Sequence, residues 1–325
     1  MARATVSQRP QFGVESALGS TASCTHVLRA TDLTIKPKID VKEITAGGAR
    51  FRTGTYVAKD SSEGKIEGVP CYRELAYLLA LAFAPDATPT ETVADTVWTY
   101  TFGIDDAPAS WTCQYGQTGA GNAAQVTGVI ATGIELSWKR SSGDAKVSVD
   151  VLGQLFADGA TLTANPVATD TEVVNGTHVS VYLDTAYANL GDTKLTSVLA
   201  VDVKLPSIRD GVWFLDSAKT SWADVVSKLV DGSVELNIEA NTVGQALLTS
   251  LRDADVSYLR IEAVGPAIDV DNDHKLTIDL AVTGKDHDRQ DEEAVYAAKH
   301  ILQVIEDADG FSHSVTLVTD VDPAA

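Results

Sequence analysis

Apolar and polar residues alternate along most of this chain, the pattern of strands with one face buried. Leu33-Thr34-Ile35-Lys36, Trp111 to Tyr115, Ile134 to Lys139 and Lys146 to Val151 follow it, with a hairpin turn predicted at Ser141-Ser142-Gly143-Asp144. Val179 to Asp184, Val198 to Leu205, Gly211 to Asp216, Lys275 to Val282 and Ser314 to Val318 continue it. In two places a helical spacing interrupts, each time between strands. The first follows Lys65-Ile66-Glu67-Gly68: Leu75, Leu78, Leu79, Ala82 and Phe83 share one face of a helix expected from Pro70 to about Ala84, before the strand Val97 to Phe102. Pro70 suits the first turn and Pro85 ends it. The second follows Val234 to Glu239: a helix from about Thr242 to Arg252, then the strand Ser257 to Ile261. A third helix is predicted from Glu292 to Ile305, with Val295, Ala298, Leu302 and Ile305 on one side and an acidic start suited to a helix N-terminus.

The fold class expected is therefore mainly β with a few helices (α+β), built of β-sandwich or barrel modules, each flanked by a helix and duplicated along the chain. Residues 1–24, rich in Ser, Thr, Gly and Ala, read as an N-terminal arm. Residues 25–155 read as the first module, with a long loop over 45–64 and the helix 70–84; residues 156–325 read as the second, opening on a polar connector and holding the helices 242–252 and 292–305. Pro37 is expected to make the rest of its strand a sheet edge or to end the strand.

Composition narrows the partners. The 325 residues allow about two domains. Forty-five acidic against 25 basic side chains give a formal charge of −20, which repels nucleic acid, acidic partners and membrane surfaces. No uninterrupted apolar run is long enough for a membrane span, and Met1 to Pro10 lacks the apolar core of a signal peptide. Cys24, Cys71 and Cys113 are odd in number and widely spaced, as reduced thiols of a cytoplasm are.

Catalytic chemistry is hard to find. Asp269-Val270-Asp271-Asn272-Asp273 invites a calcium reading, but His274 and Leu280 stand where an EF-hand loop needs glycine and glutamate, so an acidic hairpin turn is expected. The six histidines have no zinc-ligand spacing, and no nucleophile elbow, P-loop or dinucleotide fingerprint occurs. Gly116 to Gly121 reads as a turn or a flexible loop, and Cys71 at a helix start as a buried thiol. No enzyme, cofactor or metal is expected. The polar strand faces carry more: Glu235, Asn237 and Glu239 share one, and Lys275, Thr277 and Asp279 another. Each is either an ordinary solvated face or the lining of an aqueous channel.

Val181-Tyr182-Leu183-Asp184-Thr185 with Ala188 to Leu199, Gly133 to Arg140, Val151-Leu152-Gly153-Gln154, Gly13 to Gly19 running into Leu33 to Pro37, and Trp213 to Asp216 with Thr220-Ser221-Trp222 resemble, in order and spacing, the major tail proteins of long-tailed, non-contractile bacteriophages, especially of actinobacteria. The resemblance covers most of residues 11–262. It implies a non-enzymatic ring-forming subunit of the virion tail, assembled in the host bacterial cytoplasm and stacked into a hollow tube that carries double-stranded DNA. It implies tail tip, tape measure and tail terminator proteins as partners, with no membrane insertion. The lumen-facing candidates are Glu235, Asn237, Glu239, Thr277 and Asp279. The contacts between subunits and rings are expected from the arm and the long loop, through Glu15, Arg50, Arg52 and Lys59.

Six modules giving four strands each would close a barrel of roughly 24 strands. At about 4.8 Å per strand and about 45° tilt its backbone diameter is near 50 Å. A duplex of roughly 20 Å passes through it, and an acidic lining lets it slide where a basic one would bind its phosphates. Two modules per chain favour three chains per ring over six. The alternative function is a β-sandwich surface, decoration or host-binding module.

Overall fold

The computed structural model describes all residues except 1–9, 86–88, 94–95, 104–108, 118–120, 122, 169–170, 207–208, 217–219, 228–231, 241–248, 250–254, 293–294 and 322–325. The protein is mainly β. Its first half contains β1 (Gln11–Val14), β2 (His26–Val27), β3 (Thr31–Ile44), β4 (Gly54–Gly68), helix α1 (Tyr72–Ala82), β5 (Ala84–Pro85), β6 (Thr90–Val93), β7 (Val97–Gly103), β8 (Trp111–Gly116), β9 (Ala123–Lys139), β10 (Ala145–Gly153) and β11 (Phe156–Ala160). After β12 (Val167–Ala168), the second half runs through β13 (Val179–Asp184), β14 (Lys194–Leu195), β15 (Val198–Pro206), β16 (Arg209–Val212), β17 (Asp224–Ser227), β18 (Ser233–Glu239), β19 (Ser257–Ala267), β20 (Asp273–Glu292), β21 (Val295–Val304) and β22 (His313–Thr319).

The two halves repeat one pairing scheme, and every pair in it is antiparallel. An opening strand pairs with a short neighbour and a later strand: β1 with β2 and β8, β13 with β14 and β19. A four-strand unit follows, in the order β3-β4-β10-β9 and again β15-β18-β21-β20. The last strand of each unit is long. Its early part pairs with β8 and β11 in the first half, and with β19 and β22 in the second. Its later part belongs to the four-strand unit. A register shift in each long strand's ladder, opposite Asp150/Val151 and at Gly284/Asp286, lies where the chain passes between the two layers.

The two units are fused. The later part of β9 pairs antiparallel with β15, from Lys139 opposite Ala200 to Gly133 opposite Pro206. One sheet of eight strands results, β3-β4-β10-β9-β15-β18-β21-β20. Its inner face carries Ile35, Ile66, Val149, Leu136, Val203, Leu236 and Leu302, which join Leu259, Ile278 and Leu317 of the second layer in one buried core. This is sandwich packing.

Helix α1 sits at the junction of the halves. Its Tyr72 ring stacks on His274 at 5.4 Å, and Arg73 donates to the Asp320 carboxylate. Buried Glu74 accepts from the backbone N–H groups of Arg29 and Ala30 and from the Thr31 hydroxyl, fixing the chain where β3 begins.

Five expectations are corrected. The described part of 292–305 is not a helix: β20 runs to Glu292 and residues 295–304 are β21, held between β18 and β20. Ladder bonds on both edges and the period-2 burial of Ala298, His300 and Leu302 outweigh a helical spacing in a segment of weak β propensity. The loop predicted over 45–64 shrinks to the turn 45–53, because Gly54 to Gly64 pair with β3. The arm predicted over 1–24 is partly folded: β1 pairs with β8, and Phe12 is buried and stacked on Trp111 at 4.2 Å. Pairing with β9 places β11 in the first half, past the predicted boundary at 155/156. The strand expected from Gly211 to Asp216 ends at Val212. The predicted helix 242–252 lies outside the described residues except Thr249.

Candidate assembly surface

The outer face of the eight-strand sheet is polar across both halves. Lys65 and Glu67 of β4, Ser148 and Asp150 of β10, Glu135 and Ser137 of β9, Asp202 and Lys204 of β15, and Glu235 and Asn237 of β18 follow one another across it by register. Carboxylates crowd at its centre. Burial first, and then the neighbouring Glu235 and Glu135, raise the Asp202 carboxyl above its ordinary value. Lys299 of β21 donates to Glu235 at 2.5 Å and relieves part of that repulsion.

The lumen-facing candidates separate into two groups. Glu235, Asn237 and Glu239 alternate with buried Val234, Leu236 and Ile238, so they lie on this outer face. Thr277 and Asp279 lie on the second layer. Thr277 is opposite Glu262 and Thr316, and Asp279 is opposite Arg260, whose guanidinium donates to both carboxylate oxygens at 2.7 and 2.8 Å. Only 8 % of Asp279 is exposed. The two layers share one core, so their outer faces point away from each other, and one channel cannot take all five residues. Sequence alternation gives the polar face of each strand but not which sheet the strand joins.

The candidates for contacts between subunits also divide. Glu15 is buried and accepts four hydrogen bonds at 2.8 Å, from Gly19 N–H, Gly128 N–H and the hydroxyls of Ser110 and Thr112. It is used within the subunit, which corrects its assignment to an intersubunit contact. Arg50, Arg52 and Lys59 are exposed on the β3–β4 hairpin. Arg52 pairs with Glu43, and Lys59 lies over the Trp213 ring at 4.3 Å from its centroid.

That hairpin is the second notable surface. From Lys36 to Asp60 it leaves the core as a two-stranded ribbon with both faces open. Ile39, Val41, Ile44, Phe51, Tyr56 and Val57 are each about half exposed or more, Phe51 at 83 %. An apolar ribbon of this length in water marks a contact surface.

Other candidate chemistry resolves into structure. Asp269 Oδ1 accepts from the N–H groups of Asp271 and Asn272, which makes the β19–β20 turn. Burial first, then Glu74 and Glu172, push the Cys71 thiol up to about 12, which leaves it unreactive. Among the described residues no group of three or more His, Cys, Asp or Glu is arranged to hold a metal ion, and no helix is long and apolar enough to cross a membrane. A scan against protein-family models and a search of the curated proteins match nothing to the chain.

Proposed function

We propose that this protein is the structural subunit of a bacteriophage tail tube: it closes into rings that stack as a hollow conduit for double-stranded DNA. The observation that carries the reading is the fused sheet. Two copies of one four-strand unit lie side by side, with one polar, carboxylate-rich face running across the joint. A wall segment of a channel needs that form: a continuous curved sheet, packed behind and wetted in front. The formal charge of −20 suits a lining that repels phosphates. In this reading Glu235, Asn237 and Glu239 face the lumen, Thr277 and Asp279 lie on the outside, and the ribbon with Arg50, Arg52 and Lys59 reaches the next ring. Tail tip, tape measure and tail terminator proteins are its partners, in a virion tail built in a bacterial cytoplasm.

Electron microscopy of the concentrated protein tests this. Hollow tubes with a regular axial repeat and a lumen wider than a duplex are expected. Particles without a central channel would overturn it in favour of a β-sandwich surface or host-binding module.

Two variants probe the parts. Shortening the ribbon, by joining Lys38 to Ser61 through a tight turn, should leave the melting temperature within a few degrees while abolishing stacking, read by sedimentation. Tubes of normal length from that variant would remove the ribbon from the stacking contact. Replacing Glu235 and Glu239 with lysine should slow genome release from virions several-fold, more so at low salt, with tubes still formed. Unchanged release kinetics would place these residues away from the DNA path.

A further inference from the structure

We infer that the later part of β20, residues 286–292, pairs antiparallel with β3 of a second copy of this chain, and that three copies joined in this way close the ring. The inference deepens the proposed function. It rests on ring formation and not on the passage of DNA.

The chain already contains such a joint. β9 ends the first four-strand unit and β15 begins the second, and the two pair over Gly133 to Lys139. In the repeat, β20 ends the second unit as β9 ends the first, and β3 begins the first as β15 begins the second. Among the described residues β3 has a partner only in β4, and β20 beyond Val282 only in β21. Both ends of the eight-strand sheet are thus open, and open edges are templates for pairing.

The internal joint also fixes the register. Each long strand carries one extra residue where its ladder shifts: Thr132 between the pairs Gly133–Asp150 and Ala131–Val151, and Lys285 between Asp286–Ile301 and Gly284–Leu302, so Thr132 and Lys285 are equivalent. Counting from them, Ile134 and His287 are equivalent, and so are their partners Val149 and His300. Ile66 pairs with Val149 and Leu236 with His300, so Ile66 and Leu236 are equivalent, and by the same count Gly64 and Val234. Gly64 pairs with Ile35 and Val234 with Val203, so Ile35 and Val203 are equivalent, and likewise Pro37 and Leu205. The observed pairs Glu135–Lys204, Ile134–Leu205 and Gly133–Pro206 then become Asp288 opposite Lys36, His287 opposite Pro37 and Asp286 opposite Lys38 of the neighbouring copy.

Burial and charge agree with this. Leu205, inside the internal joint, is 5 % exposed, whereas its equivalent Pro37 is exposed in the single chain. The β3 edge presents exposed Lys36 and Lys38, and the β20 edge exposed Asp286 and Asp288, which this register sets opposite one another, as Glu135 and Lys204 are opposite in the internal joint. Pairing this part of β3 with itself, or this part of β20 with itself, would bring like charges together, whereas pairing β3 with β20 brings unlike ones. The contact is consequently head-to-tail, the kind that generates rings. Pro37 removes one N–H from β3 and guards that edge against indiscriminate partners. Eight strands at about 4.8 Å spacing and about 45° tilt span an arc of roughly 54 Å, and three arcs close a barrel near 50 Å across.

The test is a double variant, Lys36→Cys with Asp288→Cys, oxidised under assembling conditions. Cys24, Cys71 and Cys113 are buried and do not compete. Expected is a reducible ladder that stops at three chains, absent from each single variant and from Lys36→Cys with Thr277→Cys. A ladder that continues to six chains, or tubes that form without crosslinks, would overturn the joint and leave the tube reading standing. Crosslinked three-chain rings that never stack would keep the joint and overturn the tube. Protein that stays monomeric at every concentration overturns both.

Discussion

Replacing Glu74 with alanine should lower the free energy of unfolding by about 3 kcal/mol or more. The side chain lies on α1 with no exposed surface. Its Oε1 accepts from Arg29 N–H at 2.6 Å and Ala30 N–H at 2.9 Å, and its Oε2 from the Thr31 hydroxyl at 2.9 Å. Alanine leaves these donors without the carboxylate and opens a gap between the helix and the start of β3. Hydrogen bonds to a charged acceptor each contribute about 1.5–3 kcal/mol, and the orphaned donors add their own desolvation cost. Glutamine should recover only part of the loss, because its amide presents one acceptor where two oxygens serve now. Urea denaturation of the two variants beside the parent measures this. A loss under about 1 kcal/mol for alanine would mean that β3 is anchored by its ladder alone.

Acid should weaken the fold through His300. This side chain is fully buried on β21, opposite His287 of β20, with ring centroids 4.6 Å apart. Among the described residues neither ring has a hydrogen-bond partner. Burial, and then the His287 charge, lower the His300 pKa from 6.5 to about 4. The unfolded chain therefore binds this proton more readily than the folded one. The stability due to neutral His300 is complete above pH 6.5 and is lost as pH falls from there to 4. At about 1.4 kcal/mol per pKa unit the loss is on the order of 3 kcal/mol. Burial also lowers His26 and His313, and is the first cause for His274, so all act in the same direction. His300→Leu keeps an apolar core position and should flatten the fall in unfolding free energy between pH 6.5 and 4. An identical slope in parent and variant would remove His300 as the cause.

The strands were the legible part of the sequence because burial of one face imposes a period of two, and Val147, Val149 and Val151 or Val234, Leu236 and Ile238 record it directly. Helix α1 was legible for the same reason at its own period. The β21 segment was misread because Tyr-Ala-Ala-Lys-His-Ile-Leu carries residues at home in a helix, and only two flanking strands distant in sequence decide otherwise. The ribbon was misread because neither of its faces is buried, so no alternation marks it. Two strand–helix–strand runs pointed to a duplication, but the second helix lies outside the described residues except Thr249, and by pairing the counterpart of β19 is β8 and not β7. The repeat that the described strands carry, the opening trio and the four-strand unit of each half, is a matter of hydrogen-bond partners and leaves little trace in residue identity. The Glu74 and Glu15 anchors give no local signal, since their donors lie 43 to 113 residues away or, for Gly19, within a turn.

In the proposed ring, the β9–β15 joint bears on assembly kinetics. A ring of three such chains contains six joints between four-strand units, and half of them are completed when each chain folds. Those joints carry no dependence on protein concentration, whereas every joint between separate molecules costs several kcal/mol of translational and rotational freedom. Tethering the units raises their mutual effective concentration into the millimolar range. A fused subunit can thus close rings from a more dilute pool than single units could. It also allows the two kinds of joint to diverge: the internal one is held by the chain whatever its strength, so selection for reversible, correctable closure acts on the other alone.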